Sequence, residues 1–389
     1  MRRDKNMDKK QEIQDEVQLI QDLFDGIDNG DFNNFGETSD KYTFKYLKAI
    51  WDLQTVLDGG KELYKQIYEI AIKCGIRHVQ QKYKTGRKIK VAFLTISAAE
   101  WPAESVYRLL KMNENVEAYL VVGPLIDRSV ENMEDAFEKT ASFFEKRGYD
   151  VRRAYDSKNK KVRLWEEIGK PDIVIHLTHW YKSLPEEYQI ENYPFTILNC
   201  YIPYAMSLAD NAKGTFMINS SNNSMFLNMM WHIYTDTMYH YEGYREYQLL
   251  GGENVVFTGF PKMDFFYNKI ENTSDQLMLM ANWKYPTGCD PKNMKKVIIA
   301  PHHTFLGYGG ILYSTFQWNM YFWIYLAKKY ENQISFIFKP HPNLRTRAIE
   351  AEVFRDAGDY ERYIDLWEKL PNARVSAEES YLEIFATSD

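Results

Sequence analysis

The side chains whose types and spacing suit chemistry gather around two prolines late in the sequence. Lys339, Pro340, His341 and Pro342 follow one short apolar run, and Pro301, His302, His303 and Thr304 follow another. A lysine and an imidazole bracketed by prolines lose little entropy on meeting a ligand, and both can donate hydrogen bonds to phosphate oxygens. If the two apolar runs are neighbouring parallel strands, their imidazoles reach one crevice, where a histidine can hydrogen-bond or protonate a departing phosphate. His302, His303 and His341 are therefore the candidate catalytic residues, with Lys339 and Thr304 as phosphate ligands beside them. The plainer reading of each turn is a histidine that caps a neighbouring helix. A metal held by His302, His303 and His341 is disfavoured, because no carboxylate or cysteine stands at ligand spacing; no metal and no cofactor is expected.

A second group is spread over the middle of the sequence. Gly259, Phe260, Pro261, Lys262, Met263 and Asp264 follow the run Val255 to Thr258; glycine and proline permit a sharp turn that would face Lys262 and Asp264 into an interdomain cleft. His176 and His179 follow the run Asp172 to Leu177 and suit a core or a cleft wall as well as catalysis. Tyr201 and Tyr204 read as a packing pair around Pro203 before they read as a sugar platform. Glu100, with Trp101, Pro102 and Glu104, follows the first strand, where a carboxylate serves either as a base or as the negative charge at a helix N-terminus.

The elements that must position these residues are legible in the periodicity. From Gln11 to Lys84 apolar residues recur at helical spacing, as in Ile13, Val17, Ile20 and Leu23 and again Leu63, Ile67 and Ile70, with a break over Asp25 to Asp40. Residues 1–85 are thus a helical extension. Residues 86–271 alternate strands with helices: strands at Ile89 to Ile96, Val116 to Val122, Asp172 to Leu177, Phe195 to Tyr201, His232 to Thr235 and Val255 to Thr258, with helices at Ala103 to Met112 and Val130 to Arg147. Such alternation implies a parallel sheet covered on both faces, which binds ligands beyond the carboxyl ends of its strands. A linker over 272–296 precedes a second, partial unit over 297–389. There Val297 to Ala300, Ile334 to Lys339 and a short run near Arg374 are strands, and Trp318 to Tyr330, Arg345 to Leu370 and Tyr381 to Phe385 are helical. The aromatic group Trp318, Tyr321, Phe322, Trp323 and Tyr325 is expected to fill core against the second sheet.

Composition excludes several classes. The 389 residues exceed what one core usually organises, and 45% apolar with 26% charged residues matches a folded globular chain. A net charge of -6 argues against a nucleic-acid partner. Three widely spaced cysteines, Cys74, Cys200 and Cys289, support neither a disulfide framework nor a zinc knuckle. No apolar stretch approaches the roughly 18 residues that span a bilayer, so a cytoplasmic protein is expected. Arg2, Arg3, Lys5, Lys9 and Lys10 would allow peripheral contact with an anionic inner membrane face.

The order of these motifs, an alternating domain, a Gly-x-Pro-x-x-Asp turn, a Pro-His turn and a Lys-Pro-His-Pro turn, resembles the CDP-glycerol glycerophosphotransferase family of teichoic-acid and capsule synthesis. The resemblance runs from about Lys88 to Asp389 and is most specific at Val255 to Asp264, at Ala300 to Thr304 with Ser314, Thr315 and Phe316, and at Phe338 to Leu344. It implies a GT-B fold, two Rossmann-like domains either side of a cleft. It places His302, His303, Lys339 and His341 near a cytidine diphosphate, with Ser314 and Thr315 beside them. Ser388 and Asp389 resemble the start of the family's Ser-Asp segment, whose serine-rich turn would follow, so the donor domain is expected to be cut short. A further departure is Tyr201, Ile202, Pro203, Tyr204 where polymerising members carry His-Gly-Thr, so the acceptor base would fall to Asp210, His176 or His179. The implied activity is transfer of glycerol phosphate from a CDP-activated donor to a hydroxyl of an envelope polysaccharide or lipid-linked acceptor. Two alternatives stand beside it: a nucleotide-sugar glycosyltransferase on the same fold, and an inactive interaction subunit. The oligomeric state is not legible.

Overall fold

Seven residues, Ile-Lys-Val-Ala-Phe-Leu-Thr, form the first strand, β1 (Ile89–Thr95), and all but Lys90 are buried, as suits a parallel strand covered on both faces. Its alternate residues serve opposite layers: Ala92 and Leu94 join one core cluster, Val91 and Phe93 the other. The computed structural model describes residues 18–19, 21–23, 25–26, 41–55, 59–127, 129–206, 221–267, 280–306, 312–376 and 381–389. The chain divides into two compact units, Met1–Asp264 and Phe265–Asp389.

In the first unit β1 is followed by α1 (Glu104–Met112), β2 (Val116–Val122), α2 (Val130–Lys146) and β3 (Val151–Arg153), each strand adding on the same side. A small ribbon, β4 (Tyr155–Asp156) with β5 (Lys161–Val162), comes next. The chain then crosses to the other side of β1 with β6 (Ile173–His176), β7 (Leu198–Tyr201), β8 (His232–Thr235) and β9 (Val255–Phe257). The sheet order is β3-β2-β1-β6-β7-β8-β9 and every pair is parallel. Strand order therefore reverses between β1 and β6, where Val91 pairs with Ile173.

Two helices of the N-terminal region, Lys45–Leu53 and Gly60–Lys84, pack into the same core; the second presents Tyr64, Ile67, Ala71 and Cys74 to it. A polar tie fixes that helix. Asp172, buried just before β6, accepts from His78 at 3.0 Å, from Lys82 at 2.5 Å and from the Lys90 backbone N–H at 2.8 Å. These three donors hold its carboxyl below the usual range even though burial pushes the other way.

The second unit is a three-stranded parallel sheet, order β10-β11-β12, made of Lys295–Ile299, Ile334–Phe338 and Ala373–Val375. Phe316, Met320, Phe336, Phe338, Tyr363 and Trp367 fill one face, and Trp283, Ile337 and Ile384 the other. The α/β class, with a larger and a smaller parallel-sheet unit, is the one the alternating pattern predicts.

Three local expectations change. Val151–Arg153, where the periodicity marks no strand, is a strand at the sheet edge. Arg345 to Leu370 is not one helical stretch but two helices, Leu344–Glu350 and Ala357–Glu368, separated at Glu352, which takes a φ of +57°. Asp356 starts the second by accepting from the Asp359 N–H. Finally, the helix Phe316–Lys329 buries Phe316, Met320, Ile324 and Ala327, so Trp318, Tyr321, Phe322 and Tyr325 stand exposed rather than in the core. Among the described residues no helix is long and apolar enough to cross a membrane.

Candidate functional site

The last paired residues of β10 and β11 are Ile299 and Phe338, and the chain leaves both strands on the same edge. Prolines bar either segment from extending the ladder, and the two turns are stitched to each other instead. Lys339 N–H donates to Ile299 O at 2.8 Å and His341 N–H to Pro301 O at 3.2 Å. The imidazoles of the two turns are thereby brought together, tilted or edge-on to one another. Ring centroids lie 4.2 Å apart for His302 and His303, 4.1 Å for His303 and His341, and 5.2 Å for His302 and His341.

The nitrogens have distinct surroundings. His302 Nδ1 lies 3.1 Å from Thr304 Oγ1, and that oxygen accepts from the Tyr313 N–H at 2.9 Å. His341 Nδ1 accepts from the Asn343 N–H at 3.1 Å, so in the neutral ring the proton sits on Nε2 and is available to a ligand oxygen. His303 Nδ1 is shielded from solvent and has no hydrogen-bond partner among the described residues. Burial pushes all three rings below the usual imidazole range. His341 falls to about 4, first from burial and then from repulsion by His303 and His302, while His303 also feels His302 and Arg347. Each ring is thereby biased towards its neutral form. An anion placed among the rings would favour their charged forms and draw protons onto them.

Other expected members sit elsewhere in the second unit. Ser314 Oγ accepts from the Phe316 N–H at 3.2 Å and Thr315 Oγ1 from Asn319 Nδ2 at 2.9 Å, so both organise the start of the helix Phe316–Lys329. Ser388 Oγ donates to Phe385 O at 2.9 Å. The Asp389 carboxylate accepts from the Lys296 N–H at 2.9 Å and from Lys295 Nζ at 3.2 Å, which puts it beside the first residues of β10 while the histidines follow the last. Neither Ser388 nor Asp389 joins the imidazole cluster through any described contact.

In the first unit the candidates gather beyond the carboxyl ends of β1, β6 and β7, where the strand order reverses. Glu100 lies close enough to raise the hydroxyl pKa values of Tyr201 and Tyr204, behind the larger effect of burial. The His179 ring rests 4.1 Å from Trp180 and 6.4 Å from Tyr204, with Nδ1 at 3.4 Å from Tyr201 Oη, and burial lowers it to about 4. Lys262, itself buried, donates to Ala99 O at 3.1 Å; the turn before it needs Gly259, whose φ is +81°. His176 is core: Nε2 meets Asn199 Oδ1 at 3.1 Å and the ring packs on Tyr193 and Phe226. Asp264 is exposed at the first turn of a four-residue helix, and Asp210 lies outside the described residues.

Sequence reasoning missed Asn343, Tyr313 and Arg347. Only Arg347 left a signal, a basic residue in the short helix Leu344–Glu350 that follows Lys-Pro-His-Pro and Asn343.

No protein-family description matches this chain, and no curated protein does. Solved structures do. A UDP-GlcNAc 2-epimerase from Neisseria meningitidis bound to UDP-GlcNAc is 15% identical over 77% of this chain and 74% of its own, with a TM-score of 0.38. The Methanocaldococcus jannaschii UDP-GlcNAc 2-epimerase in complex with UDP-GlcNAc and UDP is 10% identical over 76% and 75%, with a TM-score of 0.39. The wall teichoic acid polymerase TagF is 10% identical over 85% of this chain and 72% of its own, with a TM-score of 0.44.

Proposed function

We propose that this protein is a group transferase of the CDP-glycerol glycerophosphotransferase type. A hydroxyl of an envelope polysaccharide or lipid-linked acceptor attacks the phosphorus that bears glycerol; the bond from that phosphorus to the bridging oxygen breaks, and CMP departs with the bonding electrons. The one observation that carries the reading is the convergence of His302, His303 and His341 from the ends of two adjacent parallel strands. His341 Nε2–H is a donor set by the backbone, and the His303 and His302 rings beside it can take up a proton as negative charge arrives. Lys339, the residue directly after β11, would add a positive charge beside them. The resemblance of the Pro-His and Lys-Pro-His-Pro turns to the family's donor-site motifs supports the same assignment.

The acceptor side would then be the strand ends of the first unit, with Glu100 and His179 as candidate bases and Tyr201, Tyr204 and Lys262 as walls. The acceptor proton needs such a base because the hydroxyl is a poor nucleophile while protonated.

Calorimetry with CDP and CMP tests the donor site, and His341→Ala is expected to abolish measurable binding. Release of CMP from CDP-glycerol, with a phosphodiester in the product, tests the reaction. A protein that binds no cytidine or uridine nucleotide, or binds one unchanged after His341→Ala, is not the proposed transferase.

A further inference from the structure

We propose that His302, His303 and His341 together form a binding site for a divalent transition metal ion of the zinc class, with a fourth coordination position left open. The sequence offers no carboxylate or thiolate near these histidines, but the fold makes a three-nitrogen set sufficient. One ring nitrogen of each lies within 4.8 Å of those of the other two. Nitrogens around a tetrahedral ion at about 2.0–2.1 Å stand roughly 3.4 Å apart, so side-chain rotation of about an ångström at the rings closes the shell.

The ligands are carried on a braced frame. The two turns are joined by the Lys339-to-Ile299 and His341-to-Pro301 backbone hydrogen bonds, so the imidazoles stand on adjacent strand ends and not on a free loop. His302 Nδ1 has an outer support in Thr304 Oγ1, itself held by the Tyr313 N–H, which leaves Nε2 as the ligand atom. His303 has a shielded Nδ1 with no partner among the described residues, and a buried nitrogen left without a partner calls for one. His341 is the ring that must adjust. Either the ion displaces the Asn343 N–H at Nδ1, or the ring proton moves to Nδ1 and Nε2 binds, at the cost of one exposed hydrogen bond.

Donor chemistry selects the ion. Three imidazoles suit zinc, cobalt, nickel or copper, whereas magnesium and calcium demand oxygen ligands that this cluster does not provide. Charge selects what fills the open position. Among the described residues no carboxylate pairs with any of the three rings, and Arg347 acts on His303 as a positive charge. A bare dication is therefore under-neutralised, and an oxyanion in the fourth position strengthens its binding. This site uses the same three rings as the nucleotide reading but does not rest on it, since it concerns the ring nitrogens in the absence of a nucleotide.

The full chain, stripped with a chelator and desalted, is titrated with Co2+ and with Zn2+, alone and with inorganic pyrophosphate. One equivalent of either ion is expected to stay with each chain through gel filtration. Co2+ should show the visible bands of a four- or five-coordinate ion, excess Mg2+ should not displace it, and pyrophosphate should tighten it. His303→Ala and His341→Ala each weaken uptake by about 100-fold or more, since loss of an outer partner alone costs 10–100-fold; His232→Gln, in the first unit, retains wild-type uptake. Sub-stoichiometric retention by the wild-type chain overturns the site, as does uptake unchanged in the two alanine variants. If a variant loses its far-UV dichroism, 15N-histidine spectra of the wild type decide: Zn2+ must move three of the 8 imidazoles, and movement of a different set, or of none, overturns the assignment. Calorimetry with CDP in EDTA keeps the two ideas separate. Nucleotide binding without metal uptake removes this site alone, and metal uptake without nucleotide binding removes the transferase reading alone.

Discussion

Both units place histidines at or just past the carboxyl ends of parallel strands, yet the two sets live in opposite circumstances. In the first unit His176 is sealed in the core against Asn199, Tyr193 and Phe226, and His179 rests among Trp180, Tyr201 and Tyr204. In the second, His302, His303 and His341 pack chiefly on one another, and prolines keep their turns from continuing as strand or helix. A strand end therefore does not make a site by itself. What separates the two is whether the polar atoms have been given partners by the fold. For His176 and His179 a hydrogen bond or a ring contact absorbs them; in the second unit's cluster a shielded nitrogen and a backbone-directed N–H are left for something outside the chain.

The sharpest way to break that contrast is to empty the second cluster. His303→Ala combined with His341→Ala should cost at least about 100-fold in nucleotide affinity, since two hydrogen bonds to a charged ligand contribute roughly 1.5–3 kcal/mol each. Calorimetry reads the loss, and a thermal melt within a few degrees of wild type shows that the fold survives. The opposite is expected at Asp172. Asp172→Ala leaves His78 and Lys82 without their shared acceptor and should destabilise the first unit by about 3 kcal/mol in urea unfolding, while nucleotide affinity stays at the wild-type value.

A third test uses acid. His176 is held neutral with its pKa down at about 4, against about 6.5 in an unfolded chain. The unfolded state therefore binds this proton first, so stability present above pH 6.5 drains away as pH falls towards 4. The loss amounts to about 3 kcal/mol, and His176→Gln should flatten that part of the stability–pH curve. The smallest expected effect is at Glu352, whose φ of +57° suits glycine. Glu352→Gly should stabilise the second unit by about 0.5–1 kcal/mol in thermal unfolding, with no change at the histidines.

Much of this was legible because the strands are short apolar runs bounded by charged or turn residues. β1, β2, β10 and β11 lie within two residues of where the periodicity puts them. β3 was not, because Val151–Arg153 is two-thirds arginine. Its side chains are half-buried only because Arg152 and Arg153 pair with Glu117, Glu138 and Glu145, partners that no local pattern announces. The break at Glu352 was hidden for a similar reason, since no glycine or proline marks it. The helix Phe316–Lys329 is apolar nearly all round, so its pattern fits two faces and cannot say that Trp318 and Tyr321 point outward. The histidines were legible through the prolines beside them. Their supports, Asn343, Tyr313 and Arg347, were not, because what makes them neighbours is the stitching of two turns across the sheet.

The crossing from β1 to β6 has a consequence for how the chain is made. Val91 sits on an interior strand of the sheet, yet its neighbour Ile173 follows 82 residues later. At the usual ribosomal pace of about 5–20 residues per second, that edge of β1 waits roughly 4–16 s for its partner during synthesis. Throughout that interval an apolar strand with unmade hydrogen bonds is open to any passing chain, so the yield of native protein should depend on elongation speed and on chaperones that shield nascent strand edges.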